Sequence, residues 1–294
     1  MCEASPPLFH DAALPIHSIA LAMIIRHDID PSLYLAEPTQ FPAVVVVDRS
    51  QEEIQIAYDQ IDELLKPSLI PTAQTPEYRD RCDGMGMLIA PHWILTAAQV
   101  ATEISLETKI EFNHIAYSIQ QIVLHPHFLN DSLEYNLEYS LEKDIAEHDI
   151  ALIRLHQPVE EVAPLPLFNQ TNEQGQVMTF VGKGDFGHGL IGPDQIDGKL
   201  RMATNRVESV DEQWLVFKFD APPEGTEREG IAGPGDSGGP ALVNVEGGWA
   251  IAGIRSGQLS RLPSGKNMGE GHYGVWEYYT RVSQYLDWIN AVVS

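Results

Sequence analysis

The sequence predicts an all-β protein built as two packed antiparallel barrels, and three observations carry that expectation. Short β-branched and aromatic runs recur along the chain, separated by compact turns. The 23 glycines and 20 prolines suit those turns, while 44% hydrophobic residues in a chain of 294 allow a large core. Pro158, Pro164 and Pro166 fall between two sets of runs, where they mark a crossing between barrels. Residues 1–23 read as an N-terminal extension, 24–160 as the first barrel and 161–294 as the second.

Taken in order, Phe41-Pro42 leads into residues 43–47, a β-branched run that reads as a buried strand. Ser50 with Glu53 then forms a capping box, and Ile54, Ala57, Ile61, Leu64 and Leu65 recur at helical spacing before Pro67. A helix over 51–65, inserted between two strands, follows from that pattern; it covers a barrel end or offers a face to a partner. Residues 84–89, 93–96, 109–112 and 119–124 read as the remaining strands before Asp149. His125-Pro126-His127 has two of the ligands a metal would need and no evident third, so it reads as a structural loop and no metal is expected. Leu133, Leu137, Leu141 and Ile145 repeat every four residues in an acidic insertion, which predicts a short amphipathic helix with a solvated acidic face. The alternating Asp/Asn and Gly of a calcium loop are missing there. Asp149 opens an apolar strand, and residues 176–182, 214–219, 241–245, 249–254 and 275–282 supply the second barrel. The glycine-rich stretch 184–198 reads as a loose loop beside a cleft.

Eighteen Lys and Arg against 42 Asp and Glu leave a formal charge of −24, which argues against nucleic acid and anionic membrane surfaces as partners. No apolar stretch is long enough to span a membrane. The apolar run 16–25 has no Lys or Arg before it and is interrupted by His17, so it does not fit a signal peptide. Of the two cysteines, Cys2 and Cys82, sequence leaves open whether they pair.

Chemistry concentrates at Gly235-Asp236-Ser237-Gly238-Gly239-Pro240. A serine hydroxyl is a poor nucleophile at neutral pH and needs a base, a group orienting that base, and donors for the oxyanion. Glycines on both sides of Ser237 permit a sharp turn and close approach of a substrate. The N–H groups of Gly235 and Ser237 are the expected oxyanion donors.

That hexapeptide, with Trp93-Ile94-Leu95-Thr96-Ala97-Ala98, His148-Asp149-Ile150-Ala151-Leu152-Ile153 and Tyr279-Thr280-Arg281-Val282, resembles the nucleophile, base, acid and last-strand segments of the trypsin and chymotrypsin family of serine peptidases. The resemblance spans about residues 24–294. It implies a chymotrypsin-like pair of barrels, a closing helix over 283–292, a protein or peptide substrate, no cofactor, and hydrolysis by acyl transfer through Ser237 with Asp149 as the acid. One position departs from the family. Gln99 stands where the family has its general-base histidine, and an amide carries no proton near pH 7. Peptidase activity is therefore expected to be vestigial. Gln99 is either a replacement that silenced an active peptidase or the natural residue of a non-catalytic homologue that binds peptides or partners.

The same resemblance implies the pocket. Ile231, six residues before Ser237, takes the place of the floor, Ser256 matches a serine of the edge strand, and Glu277 falls on a wall in a stretch, Trp276-Glu277-Tyr278, that reads as an insertion. Arg255 beside Ser256 is expected to narrow the cleft. Gly84 and Val100 occupy the positions of a family disulfide, which points to a sparsely bridged, bacterial-type member, secreted or periplasmic, whose export signal is not part of this chain. Ile24-Ile25 stands near the family's mature N-terminus without its glycines, so Asp236 is expected to meet a nearby cation such as Arg26 or His27.

Overall fold

The computed structural model of the chain describes residues 23–49, 84–128, 145–259 and 269–294. The helix expected over 51–65, Leu133, Leu137 and Leu141 of the acidic insertion, and both cysteines lie outside the described residues. In chain order the strands are β1 (Met23–Ile25), β2 (Val44–Val46), β3 (Met85–Ala90), β4 (Trp93–Thr96), β5 (Lys109–Phe112), β6 (Ile115–Leu124), β7 (Ala151–Leu155) and β8 (Val177–Gly182). They continue as β9 (Phe186–His188), β10 (Gly192–Gln195), β11 (Arg201–Val210), β12 (Trp214–Lys218), β13 (Gly230–Ile231), β14 (Pro240–Val245), β15 (Gly248–Leu259) and β16 (Trp276–Arg281). A short helix, α1 (Ala98–Glu103), follows β4, and α2 (Leu286–Val293) ends the chain after a 3-10 turn over Val282–Gln284.

Two six-stranded barrels result. The first, in the order β2-β3-β4-β7-β6-β5, is nearly closed, with β2 and β5 facing each other across the gap. The second, β11-β12-β16-β15-β14-β8, closes fully. Alternation selects the inward face where one side meets water: in β5, Ile110 and Phe112 are buried while Lys109 and Glu111 are exposed. The core around Met87, Leu95 and Leu152 runs on into Val181, Leu242 and Ile254 of the second barrel, so the barrels are packed on each other. Each such fully buried aliphatic contributes roughly 1.5–3 kcal/mol. Phe180 stacks on Tyr279 at 4.7 Å and meets Phe217 edge-on at 4.8 Å inside the second barrel.

Several elements differ from the expectation. The stretch 184–198 is not a loose loop: β9 and β10 pair there, and β9 pairs in parallel with β1, which in turn pairs with β13. Strand β11 has no counterpart in the sequence reading. Its buried positions are Arg201, Ala203, Asn205 and Val207, so the polar residues among them obscure the alternation. Arg201 is tolerated inside because both its Nη atoms meet the Asp197 carboxylate, at 2.9 and 3.0 Å, and its guanidinium lies over the Phe186 ring. Trp276-Glu277-Tyr278, read as an insertion, forms regular strand in unbroken antiparallel register with β12. The irregularity lies across from it in β15, where Arg255 faces Tyr279 and Gly257 faces Tyr278, leaving Ser256 as a bulged residue.

Candidate active site

Gln99 and Asp149 of the first barrel meet Ser237, Arg255 and Ser256 of the second, each delivered by a different local device. Gln99 sits in the first turn of α1, a helix whose preceding residue, Ala97, offers no side-chain cap. Asp149 takes that role from a distance: its Oδ1 accepts the backbone N–H of Gln99 at 2.9 Å, satisfying an amide that the helix itself cannot pair. The carboxylate is fully buried, and its own backbone oxygen is held by the Thr280 hydroxyl at 2.9 Å. His148, just before it, adopts a left-handed φ of 51°, and the Ile150 N–H returns to the His148 carbonyl at 2.8 Å, a tight turn that aims Asp149 inward.

The Gln99 side chain completes the carboxylate shell. Its Nε2 donates to Asp149 Oδ2 and to the Ser256 carbonyl, both at 2.6 Å, and two acceptors at these positions identify that atom as nitrogen. Asp149 Oδ2 also accepts the Ser256 hydroxyl at 2.6 Å. Burial pushes the Asp149 carboxyl above its ordinary range, and the donors from Ser256, Gln99 and Ala98 oppose that rise without cancelling it. An amide at position 99 has the groups both to donate toward Asp149 and to accept from Ser237. Only the donating half is realised, since no hydrogen bond joins Gln99 to Ser237 among the described residues.

The Ser237 hydroxyl instead accepts from Arg255 Nη1 at 2.6 Å. The backbone around Ser237 is fixed by both barrels: its carbonyl takes the Met85 N–H at 2.7 Å, and the Gly238 N–H donates to the Arg255 carbonyl at 2.9 Å. Gly238 has a φ of 79°, and a Cβ there would sit 2.3 Å from the Met85 carbonyl oxygen, so only glycine fits the turn. Gly235 also has a positive φ, 91°, and among the described residues neither its N–H nor that of Ser237 has a protein acceptor.

Asp236 corrects an expectation. It meets neither Arg26 nor His27: Arg26 pairs with Asp28 at 2.7 Å, and His27 bonds the Tyr273 hydroxyl at 2.9 Å. The Asp236 carboxylate is held by backbone amides, Gly184 N–H at 2.6 Å and Gly233 N–H at 2.9 Å. Burial raises it to about 6, against those amides and the pull of Arg255.

Of the three expected pocket residues, Ser256 bonds Asp149 instead. Ile231 is fully buried against Ile24, Phe219 and Val275. Glu277 is fully buried too; its oxygens accept the Ala232 N–H at 3.2 and 3.1 Å and Gln258 Nε2 at 3.2 Å, and Oε1 lies 3.5 Å from Arg255 Nε. Burial pushes it to about 7 despite Arg255. Sequence reasoning gave Arg255 only bulk, missing that its guanidinium touches Ser237; the signal was a lone cation in the apolar run Ile251-Ala252-Gly253-Ile254. Away from the cleft, His125, His127 and His148 gather with Tyr285 and Trp288 as packed rings, His125 stacked on His148 at 5.0 Å. Among the described residues no group of three His, Cys, Asp or Glu is placed to hold a metal ion, and no helix is long and apolar enough to cross a membrane.

Comparison with known proteins agrees with this architecture. The family model described as Trypsin matches residues 76–289. A curated relative, the tryptase of Mus musculus, is 27% identical over 235 residues, covering 71% of this chain and 77% of its own. Among solved structures, neuropsin, described as a serine protease expressed in the limbic system of mouse brain, superimposes with a TM-score of 0.56 at 19% identity, over 89% of this chain and 98% of that one.

Proposed function

The chain belongs to the trypsin family of serine peptidases, and from that premise we propose that its cleft is a peptide-binding, acyl-transfer site that lacks its proton carrier. Ser237 is the nucleophile, Gly235 and Ser237 supply the oxyanion N–H groups, and Asp149 is the acid that would orient a base at position 99. The observation that carries the reading is the Gln99 side chain, whose Nε2 bridges Asp149 Oδ2 and the Ser256 carbonyl at 2.6 Å each. An imidazole there would use one nitrogen for the carboxylate and turn the other to the serine; the amide spends both N–H bonds on acceptors and removes no proton.

Arg255 does not repair this. A guanidinium donates hydrogen bonds and has no acceptor, so beside Ser237 it stabilises a negative oxygen but takes up no proton. Turnover consequently falls toward what the oxyanion donors and binding alone provide, roughly 10³ to 10⁴ over water in the subtilisin example. A second reading, a natural non-catalytic homologue acting as a peptide- or protein-binding module, draws on the same amide: both of its N–H bonds are satisfied, so the site accommodates glutamine without an orphaned donor. A location outside the cytoplasm goes with the first reading.

The deciding experiment compares the chain with Gln99→His on a mixed peptide library and with a serine-directed phosphonate. Hydrolysis rising at least ~10³-fold, with labelling at Ser237, supports the crippled peptidase. A revertant that folds and stays inert supports the binding module.

A further inference from the structure

Arg255 is an anomaly of burial. Its side chain is 8% exposed, yet among the described residues the single hydrogen bond its guanidinium donates goes to Ser237 Oγ. Nε lies 3.5 Å from Glu277 Oε1 but makes no hydrogen bond, and Nη2 stands 3.8 Å from Glu270 Oε1. A guanidinium has five N–H donors in a planar fork; here Nε is buried without a hydrogen bond and Nη2 has only a distant carboxylate, and a buried unpaired donor costs stability unless a ligand meets it. The position is not accidental flexibility. The Arg255 N–H donates to the Gly239 carbonyl at 2.8 Å and its carbonyl accepts from Gly238, so the residue is clamped to the nucleophile loop at both ends of its peptide.

We propose that Arg255 makes the pocket beside Ser237 a receptor for a peptide carboxylate, either an acidic side chain or a free carboxyl terminus. The proposal rests on the cleft being the peptide site, as argued above. A carboxylate meets the guanidinium fork edge-on with two parallel bonds, the geometry for which arginine is suited and lysine is not. The Ser237 hydroxyl accepts from Arg255, so its own proton remains to be donated to the incoming oxygen. Ile231 itself offers no charge to a ligand, being sealed among Ile24, Phe219 and Val275. Among the described residues Glu277 is the buried carboxylate that pairs with the guanidinium, and it is already shared with Ala232 and Gln258. Glu270, with a side chain 48% exposed and 3.8 Å from Nη2, stands at the open edge, where a ligand carboxylate would compete with it. The formal charge of −24 opposes acidic ligands at long range, so the preference has to come from this local contact and strengthens when salt screens the overall field.

The test measures binding to the full chain of fluorescent peptides in two matched pairs. The first pair is blocked at both ends and differs by Glu against Gln. The second lacks acidic side chains and differs by free carboxyl terminus against amide. The expected result is about ten-fold tighter binding, or more, of the carboxylate in at least one pair, which identifies the source. Arg255→Gln should abolish the difference and Arg255→Lys should retain only part of it. If Arg255→Gln does not fold, the paired difference in the unaltered chain, and its loss on adding excess acetate as competitor, decide alone. Equal binding within both pairs overturns the proposal. So does a preference that survives in Arg255→Gln, or a uniform gain for every peptide in that variant, which would make the guanidinium a plug. The two readings fail separately: Gln99→His cleaving peptides with no carboxylate preference ends this inference alone, whereas carboxylate-selective binding with an inert Gln99→His ends the peptidase reading alone.

Discussion

Replacing Glu277 by glutamine tests whether the buried cluster under Ser237 is electrostatically what its geometry implies. The Glu277 carboxyl is raised from an ordinary 4.5 to about 7, because burial outweighs Arg255, the Ala232 amide and Gln258. Below pH 4.5 the group is protonated in both folded and unfolded chains, and its contribution to stability is fully present. As pH rises toward 7 the unfolded chain releases the proton while the folded chain holds it, so stability is lost through that window. The gap corresponds to ~3 kcal/mol, an upper value that structural relaxation reduces. Asp236, raised to about 6, and Glu229, raised to about 7 by burial, act in the same direction. The unaltered chain should therefore be less stable at pH 8 than at pH 5. Glu277→Gln removes this titration, and only its pH-independent packing cost cancels when the two pH values are compared. Urea unfolding followed by the fluorescence of the five tryptophans reads the effect. The difference between pH 5 and pH 8 should shrink in the variant by roughly 1 M in midpoint, for a slope near 3 kcal/mol/M. A variant that keeps the full difference, or an unaltered chain more stable at pH 8, would refute the reasoning.

Gly238→Ala forces a left-handed φ on a residue with a Cβ and drives that Cβ to 2.4 Å from Thr96 Oγ1 as well as against Met85; a loss of ~3 kcal/mol in thermal unfolding is expected, and a loss below ~1 kcal/mol contradicts the geometry. Arg281→Met leaves the Glu173 carboxylate, bonded to Arg281 at 2.9 and 2.8 Å, buried without its counter-ion. Chemical denaturation should show a loss of ~3–5 kcal/mol, and adding Glu173→Met should recover part of it; equal stability of the single and double variants would argue against a paired role.

What the sequence reveals here is what is written locally. Residues 93–96 and 109–112 coincide with β4 and β5 because a short run between turns needs no information from elsewhere in the chain. Strand β11 escaped because two of its inward positions hold Arg201 and Asn205, whose burial makes sense only once Asp197 and the carbonyls of Lys218 and Gly230 are in place. The sheet of β10, β9, β1 and β13 escaped because strands of two to four residues are too short for alternation to register. The candidate site divides in the same way. The nucleophile motif is contiguous and legible, whereas the bond from Ser256 to Asp149 joins residues 107 apart and differs from the pocket role expected of Ser256. The Arg255 contact with Ser237 is neither contiguous nor part of the family resemblance. It depends on the bulge at Ser256, which shifts the register of β15 against β16 at the one point where a residue must face Asp149 and its neighbour must face Ser237. Neighbouring residues of an apolar-looking segment thus reach Ser237 and Asp149 separately, and no periodicity in the sequence marks where the strand bulges.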